Sequence, residues 1–165
     1  MDLLPLIKTM PSIKISNYSF KNINGLQFKN STEEWGLDKK SVSNAAVYAD
    51  LDNDGDLDLV VNNLNEPVSV YKNNQEAIEK NNFIKIDLKG VGSNTFGLGA
   101  KILTTVDEDR EFYHEAYYIR GYLSSVEPSF TIGIGDAARV KAVKVIWPDG
   151  RVSELKNIRA NQIYY

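Results

Sequence analysis

The sequence predicts an all-β chain, and three observations carry that expectation. Short segments rich in β-branched and aromatic residues recur along it. Clusters of asparagine and glycine separate them, such as Asn22-Ile23-Asn24-Gly25, Asn62-Asn63 and Asn73-Asn74, residues that tolerate the left-handed backbone of tight turns. Helical periodicity is confined to Gln75-Glu76-Ala77-Ile78-Glu79-Lys80, a polar stretch flanked by paired asparagines and long enough for a turn or two.

In chain order, Phe83 to Leu88 alternates, with Ile84, Ile86 and Leu88 on one face and Lys85 and Asp87 on the other. Ala100 to Val106 and Glu111 to Ile119 flank Asp107-Glu108-Asp109-Arg110, which reads as a hairpin turn. Phe130 to Ile134, Val140 to Trp147, Arg151 to Leu155 and Gln162 to Tyr165 continue the series, with a turn at Pro148-Asp149-Gly150. These elements divide the chain into an N-terminal β region (1–74), a linker (75–82) and a C-terminal β domain (83–165).

Composition bounds the function. At 165 residues, 42% apolar and 25% charged, the chain has the makings of a packed core. No apolar run approaches the ~20 residues of a membrane span. Met1 to Met10 lacks the basic start and long apolar stretch of a signal peptide. A net charge of −3 argues against nucleic acid as a partner. The absence of cysteine excludes disulfides, thiolate nucleophiles and zinc–thiolate sites, and a lone histidine, His114, cannot build a two-histidine site.

Five of the 22 acidic residues fall in one stretch, Asp50-Leu51-Asp52-Asn53-Asp54-Gly55-Asp56-Leu57-Asp58. Alternate residues of a tight loop can turn inward together, and calcium takes six to eight hard oxygen ligands at ~2.3–2.6 Å. Glycine at the sixth position permits the bend. The expected ligands are the carboxylates of Asp50, Asp52, Asp54 and Asp58 and the backbone carbonyl of Asp56. Val61 stands where an EF-hand requires glutamate, and both flanks are strand-like, so the loop reads as a strand–loop–strand calcium site. An acidic solvated turn is the alternative.

Residues 44–74, with Tyr48-Ala49, the aspartate loop, Leu59-Val60-Val61-Asn62-Asn63 and Val70-Tyr71-Lys72-Asn73-Asn74, resemble an FG-GAP/VCBS repeat, one blade of a β-propeller. Residues 18–37 resemble the outer part of a preceding blade. Residues 82–165 resemble the ASPIC/UnbV domain that follows such repeats in cartilage acidic protein-like proteins. That likeness rests on Leu88-Lys89-Gly90, Gly92-Ser93-Asn94, Gly97-Leu98-Gly99-Ala100, Gly121-Tyr122-Leu123-Ser124-Ser125, Gly133-Ile134-Gly135-Asp136 and Val145-Ile146-Trp147-Pro148-Asp149-Gly150. Histidine at 114, where the family often has glutamine, is a departure. The resemblance implies partial propeller blades followed by a β-sandwich-like domain, in an exported or cell-surface protein. A propeller closes with about four to eight blades, so the rest of a parent propeller is an expected partner.

Other motifs carry less. Gly90 to Gly99 lacks the following helix and the Gly-Lys-Ser/Thr of a phosphate cradle and reads as a packing loop. His114 and Ser124 would be the residues of a hydrolase, but no G-x-S-x-G elbow is present. Tyr113, Tyr117, Tyr118, Tyr122, Tyr164, Tyr165 and Trp147 read first as strand core and alternatively as a glycan-binding surface. The reading is a non-enzymatic, calcium-binding structural, adhesion or recognition module whose partner is an unknown protein or a glycan.

Overall fold

The computed structural model describes Thr9 and residues 13–165; the leader expectation for Met1 to Met10 falls mostly outside them. Besides Thr9, which is helical, the regular structure among the described residues is sixteen strands and one four-residue helical turn, α1 (Gln75–Ile78). No described helix is long and apolar enough to cross a membrane.

The chain divides into two compact units, one of residues 1–46 and 61–69, the other of 47–60 and 70–165. The second unit thus joins 47–60 and 70–82 to residues 83–165.

In the first unit, β1 (Ile15–Ser16) pairs with β4 (Lys40–Ser41), and β2 (Phe20–Asn24) forms a hairpin with β3 (Gln27–Asn30). The hairpin turns at Gly25, and every residue of β2 and β3 is exposed. Order here comes from polar contacts. Ser19 N–H donates to Thr32 Oγ1 at 2.8 Å, and Thr32 Oγ1 donates to Asn30 Oδ1 at 2.6 Å. Asn63, itself buried, accepts from Ser43 Oγ and donates to Pro67 O and Ser69 Oγ. Strands β5 (Ser43–Ala49), β6 (Asp58–Asn63) and β7 (Ser69–Tyr71) form a three-stranded sheet with residues in both units.

The second unit holds the hydrophobic core. A four-stranded antiparallel sheet has the order β10 (Glu111–Glu115), β9 (Lys101–Thr105), β14 (Arg139–Ile146), β15 (Val152–Arg159). A three-stranded sheet has the order β13 (Ser129–Gly135), β8 (Asn82–Asp87), β16 (Ile163–Tyr164), with β16 parallel to β8. A short pair, β11 (Ile119–Gly121) with β12 (Ser124–Ser125), completes it.

Inward residues of the two larger sheets form one cluster: Ile102, Val140, Val143, Val145 and Ile158 from the first, Ile84, Ile86, Phe130, Ile132 and Ile134 from the second. Ile84, Ile86 and Leu88 are buried, as their alternation predicts. Residues Ile84 and Ile102 are fully enclosed, so truncating either to alanine costs about 2–5 kcal/mol. Opposite Lys141, Asn157 takes φ 51°, and the buried phase of β14 shifts there, from Val140 to Val143 and Val145. Asparagine is suited to that left-handed conformation.

Several sequence expectations are corrected. The segment expected as one strand from Glu111 to Ile119 breaks after Glu115, because Ala116 turns into the core and Tyr117 N–H closes onto Glu115 O. The last long strand runs on to Arg159, well past Leu155. Tyr113, Tyr117, Tyr122 and Tyr165 are exposed rather than core; Tyr113 is on edge strand β10, Tyr122 is in the β11–β12 turn, and Tyr165 follows edge strand β16. Tyr118 and Tyr164 do pack against the core, with their hydroxyls donating to Phe96 O and Arg159 O.

Candidate metal centre and its surroundings

The aspartate loop connects β5 to β6, and its tight path needs two residues with positive φ, Asn53 at 61° and Gly55 at 95°. The second of these is closed to any side chain, since a Cβ there would lie 1.9 Å from the Phe83 ring. Inside the loop, Asp56 N–H donates to Asp54 Oδ1 at 3.2 Å, a local turn that folds the chain back on itself.

The loop brings Asp50, Asp52 and Asp54 together, with one carboxylate oxygen of each within 4.8 Å of the others. Opposed ligands of a calcium ion stand about 5 Å apart at most, twice the ion–oxygen distance, so the spacing fits. Asp50 Oδ1 and Asp54 Oδ2 are sealed from solvent and accept no hydrogen bond, and only the second has a cation nearby among the described residues, Lys72 Nζ at 3.6 Å. A buried carboxylate oxygen without a donor is costly unless a cation meets it. The donor set, hard oxygens only, suits calcium.

Asp58 and Asp56 do other work and stand outside that trio. Asp58, at the start of β6, is buried, and its carboxylate accepts Leu51 N–H at 3.2 Å and Asn73 N–H at 2.8 Å. Asp56 Oδ2 accepts Gln75 N–H at 3.2 Å, the first residue of α1. Both carboxylates thereby tie the loop to the segment after β7.

That segment supplies a residue the sequence did not single out. Lys72 Nζ lies 2.5 Å from Asp52 Oδ2 and 3.6 Å from Asp54 Oδ2. Its hydrogen bond and charge hold the Asp52 carboxyl below the usual carboxylate range. Lysine immediately before the Asn73-Asn74 pair is visible in the sequence, yet no short-range pattern links position 72 to 52.

The residues weighed for a hydrolase make the following contacts. Ser124 Oγ donates to Tyr122 O at 2.8 Å. His114 packs edge-on against Phe130, and its Nδ1 is buried without a hydrogen-bond partner. Burial, aided by the charge of Arg120, pushes the His114 pKa down.

Residues 90–165 match the family model described as ASPIC and UnbV, so the C-terminal part of the chain carries an ASPIC/UnbV domain. The match begins after β8, although β8 is the central strand of the three-stranded sheet. No curated protein matches the chain.

Proposed function

We propose that the chain is a non-enzymatic calcium-binding module, a partial propeller blade followed by the ASPIC/UnbV domain, from a larger exported protein that serves adhesion or recognition. One observation carries the calcium reading: two sealed carboxylate oxygens that accept no hydrogen bond, Asp50 Oδ1 and Asp54 Oδ2, in a trio with Asp52. Asp56 adds its backbone carbonyl, and Asp58 either joins as the last ligand or braces the loop from behind. The ion's role is structural, because the same loop is bound through Asp58 and Asp56 to the chain leading into the C-terminal domain.

Support for a larger parent comes from the first unit. Phe20, Leu26 and Phe28 are exposed on a hairpin that no other described strand pairs, and an isolated two-stranded hairpin is marginal in water. Titration calorimetry of calcium into the chain and into Asp52→Ala tests the ligand set. Binding to the first and none to the second is the expected pair of results; equal binding refutes the assignment. A glycan-binding role is the second reading, favoured by the exposure of Tyr113, Tyr117 and Tyr122. A glycan array without hits at millimolar ligand removes it.

A further inference from the structure

A cleft opens along one side of the C-terminal domain. Strands β15 and β16 are edge strands of their respective sheets, and between them lies a cleft of about 320 Å³. Core residues Ile86, Leu88, Val143 and Val145 form part of its lining. Trp147, Tyr164 and Tyr165 contribute aromatic surface, and Leu155, 39% exposed, stands at the mouth. The volume of the cleft falls within the range of small-molecule sites.

The charges at the mouth are unequal in their commitments. Asp87 accepts a 2.6 Å hydrogen bond from Ser129 Oγ, and Glu154 pairs with Lys156 at 3.2 Å. Lys89 has no carboxylate partner among the described residues; its Nζ lies over the Tyr165 ring, 4.1 Å from the centroid. An apolar interior with one cation at the rim, held by an aromatic ring and by no described carboxylate, suits an amphipathic anion. Sugars fit poorly, since each hydroxyl set against Ile86, Leu88, Val143 and Val145 would lose its hydrogen bonds.

We propose that this cleft binds a small carboxylate with an apolar body, the body lying against Ile86, Leu88, Val143 and Val145 and the carboxylate meeting Lys89 Nζ. An apolar cavity of about 150 Å³ holds benzene, so a cleft of twice that volume holds a chain of roughly eight carbons. The site is independent of the aspartate loop and of the calcium reading.

Calorimetric titration of the full chain with octanoate, octylammonium and 1-octanol tests it, the three sharing one tail and differing in the head. Octanoate is expected to bind saturably and at least tenfold more tightly than octylammonium. Quenching or enhancement of Trp147 fluorescence should accompany it in a Trp35→Phe background, where Trp147 is the single tryptophan. Lys89→Met should abolish the preference for octanoate, and Leu155→Trp, a partly exposed edge position, should weaken all three ligands. Thermal melts of both variants verify that they fold. Absence of saturable octanoate binding overturns the proposal, as does equal affinity for the three heads or binding indifferent to Leu155→Trp.

Discussion

Gly55 lies against the ring of Phe83, so closely that a Cβ on Gly55 would stand 1.9 Å from Phe83 Cε1. The glycine of the aspartate loop thus answers two demands, a backbone at φ 95° and a contact that admits no side chain. Phe83 belongs to β8, the central strand of the three-stranded sheet, so loop and C-terminal domain share this contact.

Gly55→Ala is therefore expected to destabilise by about 2–4 kcal/mol, combining backbone strain with overpacking. The two parts separate in a double-mutant cycle. In a Phe83→Leu background the same substitution should cost at least ~1 kcal/mol less. Additive effects in chemical denaturation would show that the ring contact carries no energy.

Charge in the loop predicts two substitutions of opposite sign. Asp50→Asn removes one of three clustered carboxylates, which in EDTA should leave stability unchanged or raise it by about 0.5–1 kcal/mol. With calcium present the variant should be the less stable chain, because a ligand is gone. Lys72→Met removes the cation beside Asp52 and Asp54, and should tighten calcium binding by about three- to tenfold while lowering stability in EDTA. Calorimetry and paired melts read both.

A second buried orphan is unrelated to metal. Thr104 is fully enclosed in the core, and its Oγ1 has no hydrogen-bond partner. Valine keeps the shape and removes the unsatisfied hydroxyl, so Thr104→Val should raise stability by about 1 kcal/mol. A loss of stability in urea denaturation would mean that the hydroxyl is satisfied in solution.

His114 sets a pH dependence. Burial lowers its folded-state pKa below the ordinary 6.5, so as pH falls the unfolded chain takes up the proton first. The stability contributed by the neutral imidazole is complete above about pH 6.5 and is lost as pH drops toward the lowered folded value. Stability measured from pH 7.5 to 5 should decline, and His114→Gln should flatten that decline. An unaltered slope in the variant would assign the effect to another group.

The alternation of Ile84, Ile86 and Leu88 was legible in the sequence because the strand period is local and one face is buried. The aspartate spacing was legible for the same reason: Asp50, Asp52 and Asp54 converge through consecutive loop geometry. What escaped is long-range. Asp58 meets the backbone of Asn73 and Gly55 meets Phe83, contacts set by how the segments after the loop return to it. Aromatic composition likewise says nothing about which strands lie at an edge, so Tyr113 and Tyr165 read as core and are exposed. Lys72 carries no mark of its role in the sequence, since cations near acidic runs are common and only the fold brings this one to Asp52.

The most direct test is a thermal melt in excess EDTA, in millimolar calcium and in magnesium. A ligand bound only to the folded state at about 100 times its dissociation constant adds about 2.7 kcal/mol, roughly 5–10 °C for a chain of this size. The account predicts a calcium-specific rise of that order that Asp52→Ala abolishes. Coincident melts in all three conditions would contradict it and leave the aspartate loop an acidic turn held by Lys72 and its own backbone.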